Sequence, residues 1–213
     1  MNEPQIQSLI ADLRRGIARR PRDVIENTRQ AGILVAILVD GPAPSVLLTR
    51  RTETLSSHRG EVAFPGGMRD EEDPHLVYTA LREAREEVGL PPTSVEVIGQ
   101  LDDLLTVDGR VSVTPTVGIV RARPQWVMSK REVARIFEIP LSELSDPERW
   151  RMEYRGWRGR DIPVYFFEFE DEVLWGLSAY VTLFTLGALS ARLPIGGSSC
   201  DRSELDIRPR KVT

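Results

Sequence analysis

The chain has almost no cysteine, no long apolar run and no excess of basic charge. Its one cysteine, Cys200, stands alone in a polar stretch. Neither a disulfide framework nor a thiolate metal site can be assembled, and a reducing compartment is expected. No stretch of about 20 apolar residues occurs, and the opening "MNEPQIQSLIADLRRGIARRPRD" lacks the apolar core of a signal peptide. A cytoplasmic protein with no membrane partner is expected. A formal charge of -4 excludes a broad basic surface, so nucleic acid, whose non-specific binding draws on many phosphate contacts, is not an expected partner. A small phosphorylated ligand needs only a local pocket and stays open. There is no internal repeat.

What is present suffices for one domain: 213 residues, 41% of them apolar and 28% charged. Residues 1–30 read as a helical extension, with Ile6, Leu9, Ile10, Leu13 and Ile17 on an inward stripe and Arg14, Arg15, Arg19, Arg20 and Arg22 on the solvated side. Residues 31–193 read as the main domain. Residues 194–213 lose the apolar pattern and read as a flexible tail.

From Gly32, "GILVAILV", the turn signal "DGPAPS" and "SVLLTR" predict two paired strands. "GEVAFPGG" predicts a third extended piece. In "DPHLVYTALREAREEVGL", Val77, Leu81, Ala84 and Val88 recur at helical spacing, with Asp73 as N-cap, Pro74 in the first turn and Gly89 at the end. "SVEVIGQLDDL" and "VSVTPTVGIVRA" read as strands around "VDGR". "SKREVARIFEIPLSEL" reads as a short helix or turn, "DIPVYFFEFEDEVLWG" as aromatic β structure, and "LSAYVTLFTLGALSARL" as a closing helix. The order predicts an α/β domain, a mixed sheet with helices on its faces. Phe64 and Trp175 read as core residues.

The run "TALREAREEVGL" places Glu83, Glu86 and Glu87 within roughly 100° of one helix face. The apolar stripe is centred roughly 140° away, so the acids face solvent or a cleft. Like charges at this spacing repel by about 0.2–0.5 kcal/mol per pair. A cation near them gains roughly 4 kcal/mol per unit charge at 4 Å and an effective dielectric of about 20. The run is therefore either a solvated surface or the holder of a hard cation. "FPGG" just ahead of it offers close backbone approach for a metal-ligating carbonyl and phosphate-binding amides.

"GGMRDEEDPHLVYTALREAREEVGL" resembles the Nudix box, G-x5-E-x7-R-E-U-x-E-E-x-G-U, in which U is a bulky apolar residue. Arg82, Glu83, Glu86, Glu87, Gly89 and Leu90 match in register, and Ala84 is a small occupant of the first U. Two positions depart: Asp73 stands where the box has Glu, and the spacing from it to Arg82 is one residue longer. That spacing, with "LLTRRTETLSSHRGEVAFPGG" upstream, is similar to the coenzyme A pyrophosphatase branch, with signature L-L-T-x-R-[SA]-x3-R-x3-G-x3-F-P-G-G. Thr52 and Ser56 depart from it, Ser56 replacing an arginine. "LDDLLTVDGRVSVTPTVGIV", "EVARIFEIPLSEL" and "VLWGLSA" are similar to segments of the same branch in the same order, so the resemblance spans about residues 30–190.

The resemblance implies an α/β/α sandwich in a single domain and metal-dependent hydrolysis of a diphosphate, with Mg²⁺ or Mn²⁺ as cofactor. Glu83, Glu87 and Glu86 with the Gly66 carbonyl are the implied metal donors, and one of the acids or a neighbour is the implied base. The box position of Arg82 implies that it orients a glutamate; the alternative is a surface ion pair with Glu86. Arg51, Arg59 and Gly67 are the implied substrate contacts, Arg59 standing in for the charge missing at Ser56. The implied substrate is coenzyme A or an acyl derivative, with ADP-ribose, other nucleoside diphosphate derivatives and nucleoside triphosphates as the alternative. Non-catalytic modules of this fold usually lose box acids, whereas this chain keeps all three helix glutamates. A second copy of the chain is the candidate protein partner.

Overall fold

The apolar run from Gly32 becomes the middle of a mixed sheet in the computed structural model, which describes residues 1–19, 21–54, 58–157 and 159–189. Strand β1 (Gln30–Leu38) is antiparallel to β2 (Ser45–Arg51), which pairs in turn with β3 (Val62–Ala63). It also pairs antiparallel with β4 (Gly66–Met68). Strand β5 (Val95–Gln100) and β6 (Leu104–Leu105) both pair with β7 (Ser112–Val120), which runs parallel to β1. Strand β8 (Val133–Pro140) lies along β2.

Alternation along β1 divides the core in two. Leu34, Ala36 and Leu38 meet Ala80, Ala84 and Val88 of α2 (Leu76–Val88). Val35, Ile37 and Val39 face the other way, into a cluster that includes Ile6, Ile10 and Leu13 of α1 (Glu3–Ile17) and Tyr180, Leu183 and Leu186 of α4 (Gly176–Leu189). Burial on both faces is why the strand reads as an unbroken apolar run. Helices on both faces of a mixed sheet give the expected sandwich. The inward stripe read in residues 1–30 packs into the same core: Ile10 and Leu13 are fully buried. Among the described residues no helix is long and apolar enough to cross a membrane.

A second, antiparallel sheet consists of β9 (Trp150–Trp157), β10 (Arg160–Phe169) and β11 (Glu172–Trp175). Trp150, Tyr165, Phe167 and Leu174 join the α1–α4 side of the core. Tyr165 meets Tyr180 edge to face at 5.3 Å, and the Tyr180 hydroxyl donates to the Pro163 carbonyl at 2.5 Å. Burial pushes the Tyr180 hydroxyl's pKa up.

Two local expectations need correction. Residues 133–140 form a strand rather than a helix or turn. Val133, Phe137 and Ile139 are buried, and the segment pairs with β2 through Arg51↔Val133, leaving only α3 (Leu141–Leu144) helical. Asp73 is not the N-cap of α2: His75, with extended backbone, accepts from the Tyr78 N–H through its side chain and starts the helix at Leu76. Of the two settings open to the glutamates, solvent or a cleft, Glu87 takes the enclosed one, at 3% exposed. The helix end holds as expected, with Gly89 at φ 72. The tail 194–213, residues 190–193 and Ser56 lie outside the described residues.

Candidate active site

The site lies where the backbone of β4, paired to β1, meets the acid side chains of α2. Gly66 pairs with Ile33 and Gly67 with Gly32. A Cβ on Gly66 would come within 2.6 Å of the Gly32 carbonyl oxygen, and one on Gly67 within 2.5 Å of the Glu83 carboxyl. Any side chain here would displace either the sheet or the acid. The bare backbone instead lets the Gly66 N–H donate to Glu87 Oε2 at 3.2 Å.

Burial dominates the electrostatics of Glu87, pushing its carboxyl up to about 8. The Gly66 N–H and the Arg51 guanidinium oppose that shift, while Glu83 and Glu132 reinforce it. Arg51 Nη1 lies 3.7 Å from Glu87 Oε1. The Arg51 Nε is buried without a hydrogen-bond partner among the described residues. Alternation sends Arg50 to the opposite face, 3.4 Å from Glu172. Glu83 is also pushed up, mainly by burial and only partly offset by Arg82, whose Nη1 donates to it at 2.9 Å.

Arg82 is anchored by Asp73, the residue at which the chain departs from the box. Asp73 is 2% exposed and receives Nε at 3.0 Å and Nη2 at 2.9 Å from Arg82 in a two-pronged pair. The Thr79 hydroxyl and the Asp70 N–H also donate to its Oδ2, at 2.9 and 3.1 Å. An aspartate is one methylene shorter than a glutamate, and the extra loop residue brings it within reach. These bonds hold the Asp73 carboxyl down at about 2. With one edge fixed by Asp73, Arg82 turns Nη1 toward Glu83 and, at 3.3 Å, toward Glu86. Asp70 Oδ2 stands 3.4 Å from Arg82 Nη2 on the exposed side.

The structure thus brings together Glu83, Glu87, Gly66, Gly67, Arg51 and Arg82. Glu86 lies at the edge of this group, its side chain 58% exposed and sharing the Arg82 Nη1 with Glu83, and Arg59 stands on an exposed turn. One acid escaped the sequence reading: Glu132, whose charge bears on both Glu83 and Glu87. Its carbonyl accepts from the Thr52 N–H at 2.9 Å, and the Thr52 hydroxyl donates to the Arg131 carbonyl at 3.0 Å. In the same loop, Ser129 N–H and Val127 N–H satisfy the Glu87 and Val88 carbonyls at the end of α2. Recognising 133–140 as the strand beside Arg51 would have located Glu132.

All the donors at the site are hard oxygens, which suit Mg²⁺ or Mn²⁺ and not a soft metal. Among the described residues no group of three or more histidine, cysteine, aspartate or glutamate side chains is placed to hold a metal ion. Mg²⁺ asks for less, keeping several waters and taking one or two carboxylates plus substrate phosphates. The buried, underneutralised Glu87 beside Glu83 fits that demand.

A family model described as the NUDIX domain matches residues 28–157. The chain is 42% identical to an uncharacterized Nudix hydrolase NudL of Photorhabdus laumondii over 161 residues, covering 76% of this chain and 85% of that protein. It is 42% identical to the NudL of Yersinia enterocolitica over 164 residues, 76% of this chain and 82% of that one. Among solved structures, an Ap4A hydrolase binary complex of C. elegans is 18% identical, spans 53% of this chain and 80% of that chain, and has a TM-score of 0.45.

Proposed function

The chain belongs to the Nudix domain family and is a Nudix hydrolase, and from that premise we propose that it cleaves the diphosphate of coenzyme A or its acyl derivatives. The products are 3′,5′-ADP and 4′-phosphopantetheine. Arg51 carries the diphosphate part of this assignment, and the resemblance of "LLTRRTETLSSHRGEVAFPGG" supports the coenzyme A part. Arg51 closes the "LLTRR" stretch of β2, lies against Glu87 and keeps a buried Nε without a partner among the described residues. A guanidinium so placed suits a phosphate oxygen.

Nudix hydrolases generally use divalent metal ions, and Glu83, Glu87 and the Gly66 carbonyl would hold one here. When bound, Mg²⁺ or Mn²⁺ neutralises diphosphate charge and lowers the pKa of water. The chain's own groups do the rest. Arg51 and the Gly67 backbone receive phosphate oxygens, and Arg59 meets a more distal anionic group. Arg82, fixed by Asp73, restrains Glu83. Water adds to one phosphorus as the bond from that phosphorus to the bridging oxygen breaks. A carboxylate takes the water's proton; Glu86 and Glu132 are the candidates outside the metal pair, Asp73 being committed to Arg82.

Turnover of coenzyme A, ADP-ribose, NADH and nucleoside triphosphates with Mg²⁺ and with Mn²⁺, compared by kcat/KM and product identity, tests the assignment. Coenzyme A is expected to lead. Preference for ADP-ribose, which the loss of arginine at Ser56 would favour, overturns it. Arg59→Ala should raise KM for coenzyme A, and an unchanged KM would remove Arg59 from the site.

A further inference from the structure

Strand β9 is an edge: its only strand neighbour among the described residues is β10. Trp157 and Arg160 face each other at the closing pair of the hairpin. Counting back in steps of two from a hydrogen-bonded closing pair, Arg155, Glu153 and Arg151 bond to β10. Gly156, Tyr154 and Met152 present their N–H and C=O groups outward. Pro163, which has no N–H, stands opposite Tyr154 as this parity requires.

The edge also carries exposed bulk. Tyr154 is 67% exposed, Trp157 41% and Met152 40%. Edge strands are usually blunted by repelling charge. Here an acid sits between two arginines: Glu153 pairs with Arg151 and, at 3.4 Å, with Arg155. The arginines are held over Phe166 at 4.5 and 4.9 Å.

We propose that two copies of the chain join their β9 edges antiparallel about a two-fold axis at Tyr154, merging the two three-stranded sheets into one of six strands. In that register the close, non-hydrogen-bonded pairs set Glu153 opposite Arg155 of the second copy, and Arg151 opposite its Trp157, each twice. These are an opposite-charge pair and a cation–π pair. Met152 falls opposite Gly156, which gives an independent reason for the glycine. A Cβ there would meet nothing nearer than Asp161 Oδ1 at 3.8 Å, so its own fold leaves room for a side chain. The exposed Met152 of the other copy needs that room.

Sedimentation equilibrium of the full chain, from about 1 to about 200 μM to span the affinity of a small interface, tests the pairing. A reversible dimer is expected. Glu153→Arg sets arginine against arginine and should weaken it at least tenfold, while Glu153→Arg with Arg155→Glu restores opposite charge and should recover it. Circular dichroism establishes that each variant is folded. In a Cys200→Ser background, Tyr154→Cys should form an intermolecular disulfide, because paired Cα atoms at the axis lie about 5.5 Å apart. Met152→Cys should not. A wild-type monomer throughout, a dimer indifferent to Glu153→Arg, or crosslinking through Met152→Cys in place of Tyr154→Cys overturns the proposal.

Discussion

Replacing Asp73 by asparagine keeps the shape of the side chain and removes its charge from the buried edge of Arg82. The carboxyl is held from an ordinary 3.8 down to about 2. At about 1.4 kcal/mol per pH unit, that depression stabilises the fold by about 2 kcal/mol at neutral pH. Because the folded pKa lies below the unfolded one, the unfolded chain takes up the proton first as pH falls. The contribution is complete above about pH 5, shrinks through the window between about 4 and 2, and is gone below it. Asparagine also turns an N–H₂ toward the Arg82 donors, so loss of about 2–3 kcal/mol is expected from breaking a buried pair one-sidedly. Urea denaturation of both proteins at a series of pH values reads this directly. The gap should be about 2 kcal/mol or more near pH 7 and narrow toward pH 2. A gap below about 0.5 kcal/mol at pH 7, or one that stays constant as pH falls toward 2, refutes the anchoring role. Freed from Asp73, Arg82 can close further on Glu83, so kcat should fall while KM changes little.

Gly67→Ala sets a methyl against the end of a flexible glutamate, so thermal stability should change by less than about 1 kcal/mol while kcat falls at least about tenfold through displacement of Glu83. Glu87→Gln should abolish most turnover without unfolding the chain. In metal-free protein the folded carboxyl titrates near 8, above its unfolded value. Wild-type stability should therefore decline as pH rises from about 4.5 to 8, and in thermal melts taken with chelator the glutamine variant should decline less, keeping only the share of Glu83, which burial also pushes up. Arg51→Ala should raise KM for the diphosphate substrate by about tenfold or more, the loss expected of a charged phosphate contact, with kcat less affected. Glu132→Gln should lower kcat and shift the acidic limb of the pH–rate profile if that acid receives the proton, and an unmoved profile leaves the role to Glu86.

The alternation of β1, the stripe of α1 and the end of α2 at Gly89 were legible because local period and backbone preference agree with the final packing. The glutamate face was legible as a cluster, but its depth was not. Helical phase placed Glu87 away from the apolar stripe, whereas β4 and β2 come from elsewhere in the chain to enclose its carboxyl, Gly66 through its N–H and Arg51 through its guanidinium. Residues 133–140 misled for a similar reason. Their charged residues obscured a strand that exists because β2 presents an edge to it. With that strand went Glu132. Asp73 and Pro74 mimicked a helix start because aspartate suits an N-cap, and only the three-dimensional position of Arg82 shows what the carboxylate binds.

The most direct test of the proposal that these carboxylates hold a metal ion is a Mn²⁺ titration by calorimetry, without substrate, of wild type, Glu83→Gln, Glu87→Gln and Glu86→Gln. The predicted result is a site in the wild type that weakens at least about tenfold, or about 1.4 kcal/mol, in Glu83→Gln and in Glu87→Gln, and less in Glu86→Gln. Equal Mn²⁺ affinity in wild type, Glu83→Gln and Glu87→Gln would contradict it.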